Sequence, residues 1–212
     1  MTRGVFIERS LRQIYGGQPN DDSEITINLV NTWLSDAIAV AAKKNYQDNL
    51  TIDGINYING SFYTIFKGLS VTTDEQFLWK ITLPQIPIGI GYGMGVSTLQ
   101  FKDNETSQIS PPVIWLSENQ RTYYQTMQPI PNKVLAYSQG GYLYAVSTIV
   151  LSQYTAQVTM VSGGDATDLN SELNVPPDYF PVMVEYIKQQ LAFERNQPQD
   201  VTNDGSDFVR TT

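Results

Sequence analysis

The most constraining feature of the sequence is a long stretch, residues 22–46, in which apolar side chains recur with helical spacing. One row contains Leu29, Trp33, Ala37 and Val40, and a second contains Ile27, Val30, Leu34, Ile38 and Ala41. Adjacent rows at this spacing form one wide apolar face of an α-helix. The pattern predicts a helix over residues 22–46, with Lys43-Lys44 in its last turn.

A shorter helical pattern comes before this one, over residues 3–15. Its apolar positions are Phe6, Ile7, Leu11 and Ile14. Gly16-Gly17 stops the pattern, and Asn20-Asp21-Asp22-Ser23 then supplies the oxygens and negative charge that favour a helix start. The short glycine-containing link predicts an αα-hairpin, so residues 1–48 form an N-terminal helical unit.

A third helical pattern lies near the other end of the sequence. Pro176-Pro177-Asp178 is typical of a helix start, with Asp178 as N-cap and Pro181 in the first turn. The apolar stripe of this helix is Phe180, Val184, Ile187 and Leu191. We expect residues 172–196 to form a helix whose stripe packs on Leu29, Trp33 and Val40. Residues 197–212 are polar and are predicted to be a flexible tail.

The middle of the chain, residues 49–171, has strand patterns instead. Residues 77–83 alternate with a period near two, and Pro84 and Pro87 follow them. Residues 133–138 and 142–147 flank Gln139-Gly140-Gly141, which indicates a β-hairpin. Further strands are expected at 96–101, 113–116 and 154–161, and Ile52-Asp53-Gly54-Ile55 suggests a tight turn between short strands.

These patterns together predict the fold class. We expect an α+β protein in which the helical hairpin and the C-terminal helix form an α-helical core. Inserted between them is a mostly antiparallel β-domain of five to seven strands.

Composition excludes many functions. The 212 residues include no Cys and no His, which removes disulfides, thiolate nucleophiles, histidine metal sites and Ser-His-Asp triads. The net charge is −8, and residues 165–212 carry nine acids against three bases. Such a balance disfavours nucleic-acid binding, because that binding depends on neutralising phosphates. We expect no enzyme activity, no cofactor and no metal.

Three local patterns suggest chemistry, but each has a simpler explanation. The alternation from Gly89 to Gly95 resembles a phosphate-binding loop, yet it lacks the following Lys-Ser or Lys-Thr and favours a strand or loop that another chain can approach closely. Residues 200–205 resemble the start of a calcium loop, but position twelve is Thr211 rather than Glu. Paired carboxylates can hydrolyse glycosides without His, and the candidates are Asp165, Asp168, Glu172, Asp178 and Glu185. Nothing in the sequence brings two of them into one pocket.

Aromatic residues indicate a surface for other proteins. The chain has 13 Tyr, and Tyr is enriched at subunit interfaces. The residues predicted to lie at an interface are Tyr179, Tyr186, Phe193, Phe208, Val209, Tyr142 and Tyr144. A row of exposed Tyr on a sheet, including Tyr123-Tyr124, also suits carbohydrate stacking, which keeps a carbohydrate- or receptor-binding β-module as an alternative.

Several segments resemble head-to-tail adaptor, or ring, proteins from the neck of crAss-like, short-tailed bacteriophages. These are residues 7–17, 26–42, Lys80-Ile81-Thr82-Leu83-Pro84 and 176–187. The resemblance implies a structural virion subunit in a ring of about 12 copies beneath the portal protein, beside other neck and tail rings. DNA would pass through the channel without specific binding, and no membrane is involved.

Two expectations follow for the whole protein. No run of 18 apolar residues occurs and Met1–Glu8 is too polar for a signal peptide, so we expect cytoplasmic synthesis without secretion. The resemblance implies assembly in the host cytoplasm and a final place in the virion neck. The tail is expected to be disordered in the monomer and to order against a neighbouring subunit or the portal, with Phe208 as anchor.

A third possible class of function, besides the ring subunit and the carbohydrate- or receptor-binding module, is a glycoside hydrolase that uses carboxylates.

Overall fold

The structure is a computed structural model that describes residues 1–16, 26–74, 78–90, 95–103, 112–116, 120 and 130–196. Within these residues the chain forms three helices: α1 (Arg3–Tyr15), α2 (Ile27–Ile52) and α3 (Phe180–Asn196). It also forms seven strands: β1 (Tyr63–Thr73), β2 (Trp79–Thr82), β3 (Val96–Asp103), β4 (Val113–Trp115), β5 (Val134–Gln139), β6 (Tyr142–Val146) and β7 (Tyr154–Val161). The fold class is α+β, as predicted.

Helix α1 has the bounds that its sequence predicts. The hydroxyl of Thr2 accepts a hydrogen bond of 3.4 Å from the backbone N–H of Val5, which satisfies one of the free donors at the helix start. At the other end, Gly16 adopts a left-handed conformation with φ 67°, a conformation that glycine takes without steric penalty.

Helix α2 differs from the prediction at its end. It begins after Thr26, whose hydroxyl accepts from the N–H of Leu29, and it continues to Ile52 rather than stopping near residue 46. Lys43-Lys44 therefore lie within the helix, and the expected turn between strands at Ile52–Ile55 is wrong. Residues 17–25, which include the acidic segment predicted to start the helix, lie outside the described residues.

The start of α3 also differs in detail. Residues Pro177–Tyr179 form a 3₁₀ turn, and the α-helix begins at Phe180. Asp178 lies inside that turn, so its predicted role as N-cap is wrong. Pro181 is the second residue of α3, where the helix requires no N–H donor.

The seven strands form one sheet with the order β3-β7-β1-β2-β6-β5-β4. Every pairing is antiparallel except that of β4 with β5, so the predicted antiparallel character is confirmed. The β5–β6 hairpin is where the sequence places it, with Gly140 at φ 59° in the turn. Strand β1 is the longest of the described strands. Its pairing with β7 shifts register between Phe66 and Leu69, where Gly68 has φ 70°, and this irregularity interrupts the alternation of side chains along the strand.

The two largest of three hydrophobic clusters among the described residues belong to the helices and to the sheet, and the third is a small one of Leu116, Leu135 and Tyr137. The helical cluster joins Met183, Ile187 and Leu191 of α3 to α2. The α2 residues in it are Val30, Trp33, Leu34, Ala37, Ile38, Ala41 and Ala42. The expected packing of the α3 stripe on Val40 is therefore wrong, because Val40 is 39% exposed and the second apolar row of α2 supplies most of the contact face. The sheet has its own cluster, which includes Ile81, Phe101, Leu143 and Val158.

A buried arginine joins the helices to the segment that follows β7. Arg3 is fully buried, and its guanidinium donates to Asn31 Oδ1 at 3.0 and 3.2 Å, to Ser35 Oγ at 3.1 Å and to the carbonyl oxygen of Gly163 at 3.4 Å. Burial lowers the pKa of Arg3, and the nearby charge of Asp165 opposes that shift. The side chain thereby ties α1, α2 and the end of β7 together.

Candidate interaction surface

Four exposed apolar side chains follow one another closely in sequence at the end of α2, among the residues that the structure describes. We call this group the α2-tip patch: Leu50, Ile52, Ile55 and Tyr57. Ile52 is 79% exposed, Ile55 59% and Tyr57 53%. Contiguous exposed apolar surface is uncommon on soluble monomers and marks places where other molecules bind.

Hydrogen bonds from asparagine side chains hold this patch in position. The Asn49 side chain donates to the carbonyl oxygen of Tyr57 at 2.9 Å and to Asn45 Oδ1 at 3.3 Å. Asn45 Oδ1 also accepts from the backbone N–H of Asn59 at 2.9 Å. The loop after α2 is thus fastened to the last turns of the helix, which presents the apolar side chains on a fixed backbone.

Exposed apolar residues also occur at the opposite end of the same helix pair. Tyr179, just before α3, is hydrogen-bonded to Asn45 and Asp48 near the end of α2, so α3 runs back antiparallel along α2. Phe193, near the end of α3, is 65% exposed, and Ile27 at the start of α2 is also exposed. The helical layer therefore carries apolar surface at both ends.

The aromatic residues predicted to lie at an interface have different surroundings. Tyr179 is partly buried, and its ring meets Phe62 edge-on with centroids 5.7 Å apart. Tyr186 is partly buried against the helical cluster, whereas Phe193 is exposed. Phe208 and Val209 lie outside the described residues, as does the whole predicted tail. An interface role for all of these stays a prediction.

Tyr142 and Tyr144 lie two residues apart on the outer face of β6. The Lys80 ammonium lies 4.1 Å from the ring centroid of Tyr142 and 6.0 Å from that of Tyr144. Tyr144 is stacked on the buried Tyr137, with ring centroids 5.3 Å apart. Because the lysine and Tyr137 already cover parts of these rings, the pair offers little free face for a sugar. Tyr123-Tyr124 lie outside the described residues.

Two of the five candidate carboxylates, Asp165 and Asp168, form local turns, whereas Glu172 and Glu185 are exposed and Glu185 lies on α3. Asp165 accepts from the N–H and the hydroxyl of Thr167 at 2.9 and 2.7 Å, and these bonds hold the pKa of Asp165 below its usual value. Asp168 accepts from the N–H of Asn170 at 2.9 Å. Each of these two aspartates thus stabilises the loop between β7 and α3, as Asp and Asn commonly do in turns.

One glycine of the alternation, Gly95, is in close contact within the chain. A side chain at Gly95 would collide with the carbonyl oxygen of Ile88. Ile88 and Gly95 are both hydrogen-bonded to Val161. The N–H of Ile88 donates to the carbonyl oxygen of Val161, and the N–H of Val161 donates to the carbonyl oxygen of Gly95. Gly95 thus allows a close approach of backbone from its own chain, so approach by another chain stays a prediction. Gly89 has nothing within 4 Å of an added side chain, and Gly91 and Gly93 lie outside the described residues.

Two other kinds of site do not occur in the described part of the chain. No group of three or more acidic side chains there could hold a metal ion. None of the described helices is both long and apolar enough to cross a membrane. The calcium-loop pattern at 200–205 falls in the part of the chain that is not described.

Comparisons with known proteins were made for the whole sequence. No protein-family model matches it, and a search of curated proteins finds no match.

Proposed function

We propose that this chain is a structural subunit of an oligomeric ring in the neck of a crAss-like, short-tailed bacteriophage, between portal and tail. The observation that carries the proposal is the α2-tip patch, whose apolar side chains are held outward by a hydrogen-bonded loop. A subunit that is buried by its neighbours in a ring requires such a surface, and a free monomer does not.

The position of the exposed residues favours a ring over a symmetric dimer. A ring needs two different surfaces on each subunit, so that one surface of a copy binds the other surface of the next. The α2-tip patch lies at one end of the antiparallel α2–α3 pair, and Phe193 lies towards the other end. This separation suits repeated contacts around a ring of about 12 copies, with the portal and adjacent neck proteins as further partners.

The charge of the chain suits a channel through which DNA moves. With a net charge of −8, the subunit repels phosphates and offers few Lys and Arg contacts that would release counterions. DNA would therefore pass without binding tightly to the wall.

The test is assembly of the purified chain, alone and mixed with the portal protein of the phage that encodes it. Native mass spectrometry and negative-stain imaging should show a closed ring of about 12 copies. Ile55→Asp, which places a charge in the α2-tip patch, should greatly reduce assembly because a buried charge without a partner is costly.

The matched control is Ile86→Asp. Ile86 is 73% exposed but lies in the loop after β2, beside Gly141 of the β5–β6 turn, so this variant should assemble like the parent chain. A parent chain that stays monomeric with and without the portal protein would contradict the proposed function, and equal assembly of both variants would exclude the patch as the contact.

A further inference from the structure

A second surface of the helical layer is concave rather than protruding. Between α1 and α3 lies a cleft of about 310 Å³, at the lower end of the range of about 300–1,000 Å³ typical of ligand pockets. Its apolar wall is formed by Phe6, Phe180, Pro181 and Val184. Phe6 and Phe180 meet edge to face, with ring centroids 5.4 Å apart. The proposed ring contact does not use this cleft.

Charged side chains at the cleft favour an acidic occupant. Arg9 on α1 and Lys188 on α3 line it, against the single carboxylate of Glu185. Arg12, which lies close by on α1, is already paired with Glu8. The cleft thus combines an aromatic wall with a net positive charge on a chain whose total charge is −8.

We propose that this cleft binds residues 199–212 of the same chain. That segment contains Asp200, Asp204 and Asp207 followed directly by Phe208-Val209, with Arg210 as its one base. It therefore offers the two features that the cleft requires, which are negative charge and an adjacent aromatic side chain. Phe208 enters the cleft beside Phe180, and the aspartates face Arg9 and Lys188.

The length of the chain permits this contact within one molecule. Twelve helical residues separate Val184 from Asn196, a distance of about 18 Å along α3. The twelve residues from Asn196 to Phe208 span up to about 40 Å when extended, so Phe208 can reach back to the cleft. A short flexible tether gives its end an effective concentration of about 1 mM, which favours the chain's own cleft over that of another copy before assembly. The inference does not depend on ring formation.

The absence of Cys from the chain makes disulfide trapping a direct test. Gln13 lines the cleft on α1, and Thr211 follows Phe208 by three residues. The full-length double variant Gln13→Cys/Thr211→Cys should oxidise to an intramolecular disulfide, seen as a faster-migrating monomer on non-reducing gels. The matched control is Ser138→Cys/Thr211→Cys, with its first cysteine exposed on β5. The cleft pair should form its disulfide at least about tenfold faster, because binding raises the local concentration of the tail.

Two further substitutions show whether the proposed contacts hold the tail. Phe208→Ala and Lys188→Glu, each added to the cleft pair, should reduce its rate to that of the control. Equal rates for the cleft pair and the control would overturn the proposal. Disulfides that form only between molecules would overturn it as well, since they would show that the segment occupies the cleft of a second copy. A negative result in these disulfide tests would not contradict ring assembly, because mass spectrometry tests ring assembly separately.

Discussion

The side chain of Asn45 donates a hydrogen bond of 3.0 Å to the phenol oxygen of Tyr179, across 134 residues of sequence. The same phenol donates to Asp48 Oδ2 at 3.3 Å, and Asn45 Oδ1 accepts from the backbone N–H of Asn59. One nearly buried amide therefore joins α2 to the approach to α3 and to the loop that carries the α2-tip patch.

Replacement of Asn45 tests how much this junction contributes. We expect Asn45→Ala to lower the free energy of unfolding by about 1–3 kcal/mol, because the N–H of Asn59 and the phenol of Tyr179 each lose a partner. Urea unfolding followed by circular dichroism measures the change. Asn56→Ala is the control: Asn56 is exposed and, among the described residues, accepts from Tyr46, so a change within about 0.5 kcal/mol is expected. Equal losses of unfolding free energy in the two variants would contradict the role of Asn45 in joining these elements.

Elements with strong local signals could be predicted from the sequence. The β5–β6 hairpin follows from two strand patterns around a Gly-Gly turn, and α1 ends at the Gly16 that takes a left-handed conformation. Both features depend on residues close to one another in the chain, and local turn chemistry is what sequence patterns describe best.

The candidate patch could not be predicted in the same way. Lys43-Lys44 suits the last turn of a helix and Ile52-Asp53-Gly54-Ile55 suggests a tight turn between strands, so the sequence predicts that α2 stops near residue 46. The helix continues because Asn45 and Asn49, one turn apart, bond to each other and to the following loop. That four-residue spacing is the one local signal for the longer helix, whereas the bond to Tyr179 comes from a distant part of the chain.

Packing between α2 and α3 can be tested at Ile187. This side chain is fully buried in the helical cluster, so Ile187→Ala should cost about 2–5 kcal/mol through lost contacts and the cavity that remains. Val40→Ala is the comparison, because Val40 is partly exposed on the other side of α2 and its truncation should cost far less. Thermal and urea unfolding of both variants measure this. Similar losses would show that Val40, and not the second apolar row, faces α3.

Binding to duplex DNA should be weak. Only 13 Lys and Arg stand against 21 Asp and Glu, and non-specific affinity comes mainly from phosphate neutralisation. Fluorescence anisotropy with a labelled duplex at physiological salt should therefore show a Kd no tighter than about 10⁻⁶ M. Tighter binding that weakens steeply with added salt would reveal a basic surface on the assembled protein and would contradict a channel wall that DNA passes freely.

The buried arginine gives the most specific prediction about stability. Lysine at position 3 would keep the positive charge but would lack the planar fork that reaches Asn31, Ser35 and Gly163 together. We expect Arg3→Lys to cost about 1–3 kcal/mol, because buried acceptors lose their donors. Arg12→Lys is the matched control, since Arg12 is exposed and pairs only with Glu8 one turn away; its cost should stay below about 0.5 kcal/mol. Denaturant unfolding of the two variants decides the question, and a parent-like midpoint for Arg3→Lys would show that charge alone, without the fork, holds α1 to α2 and β7.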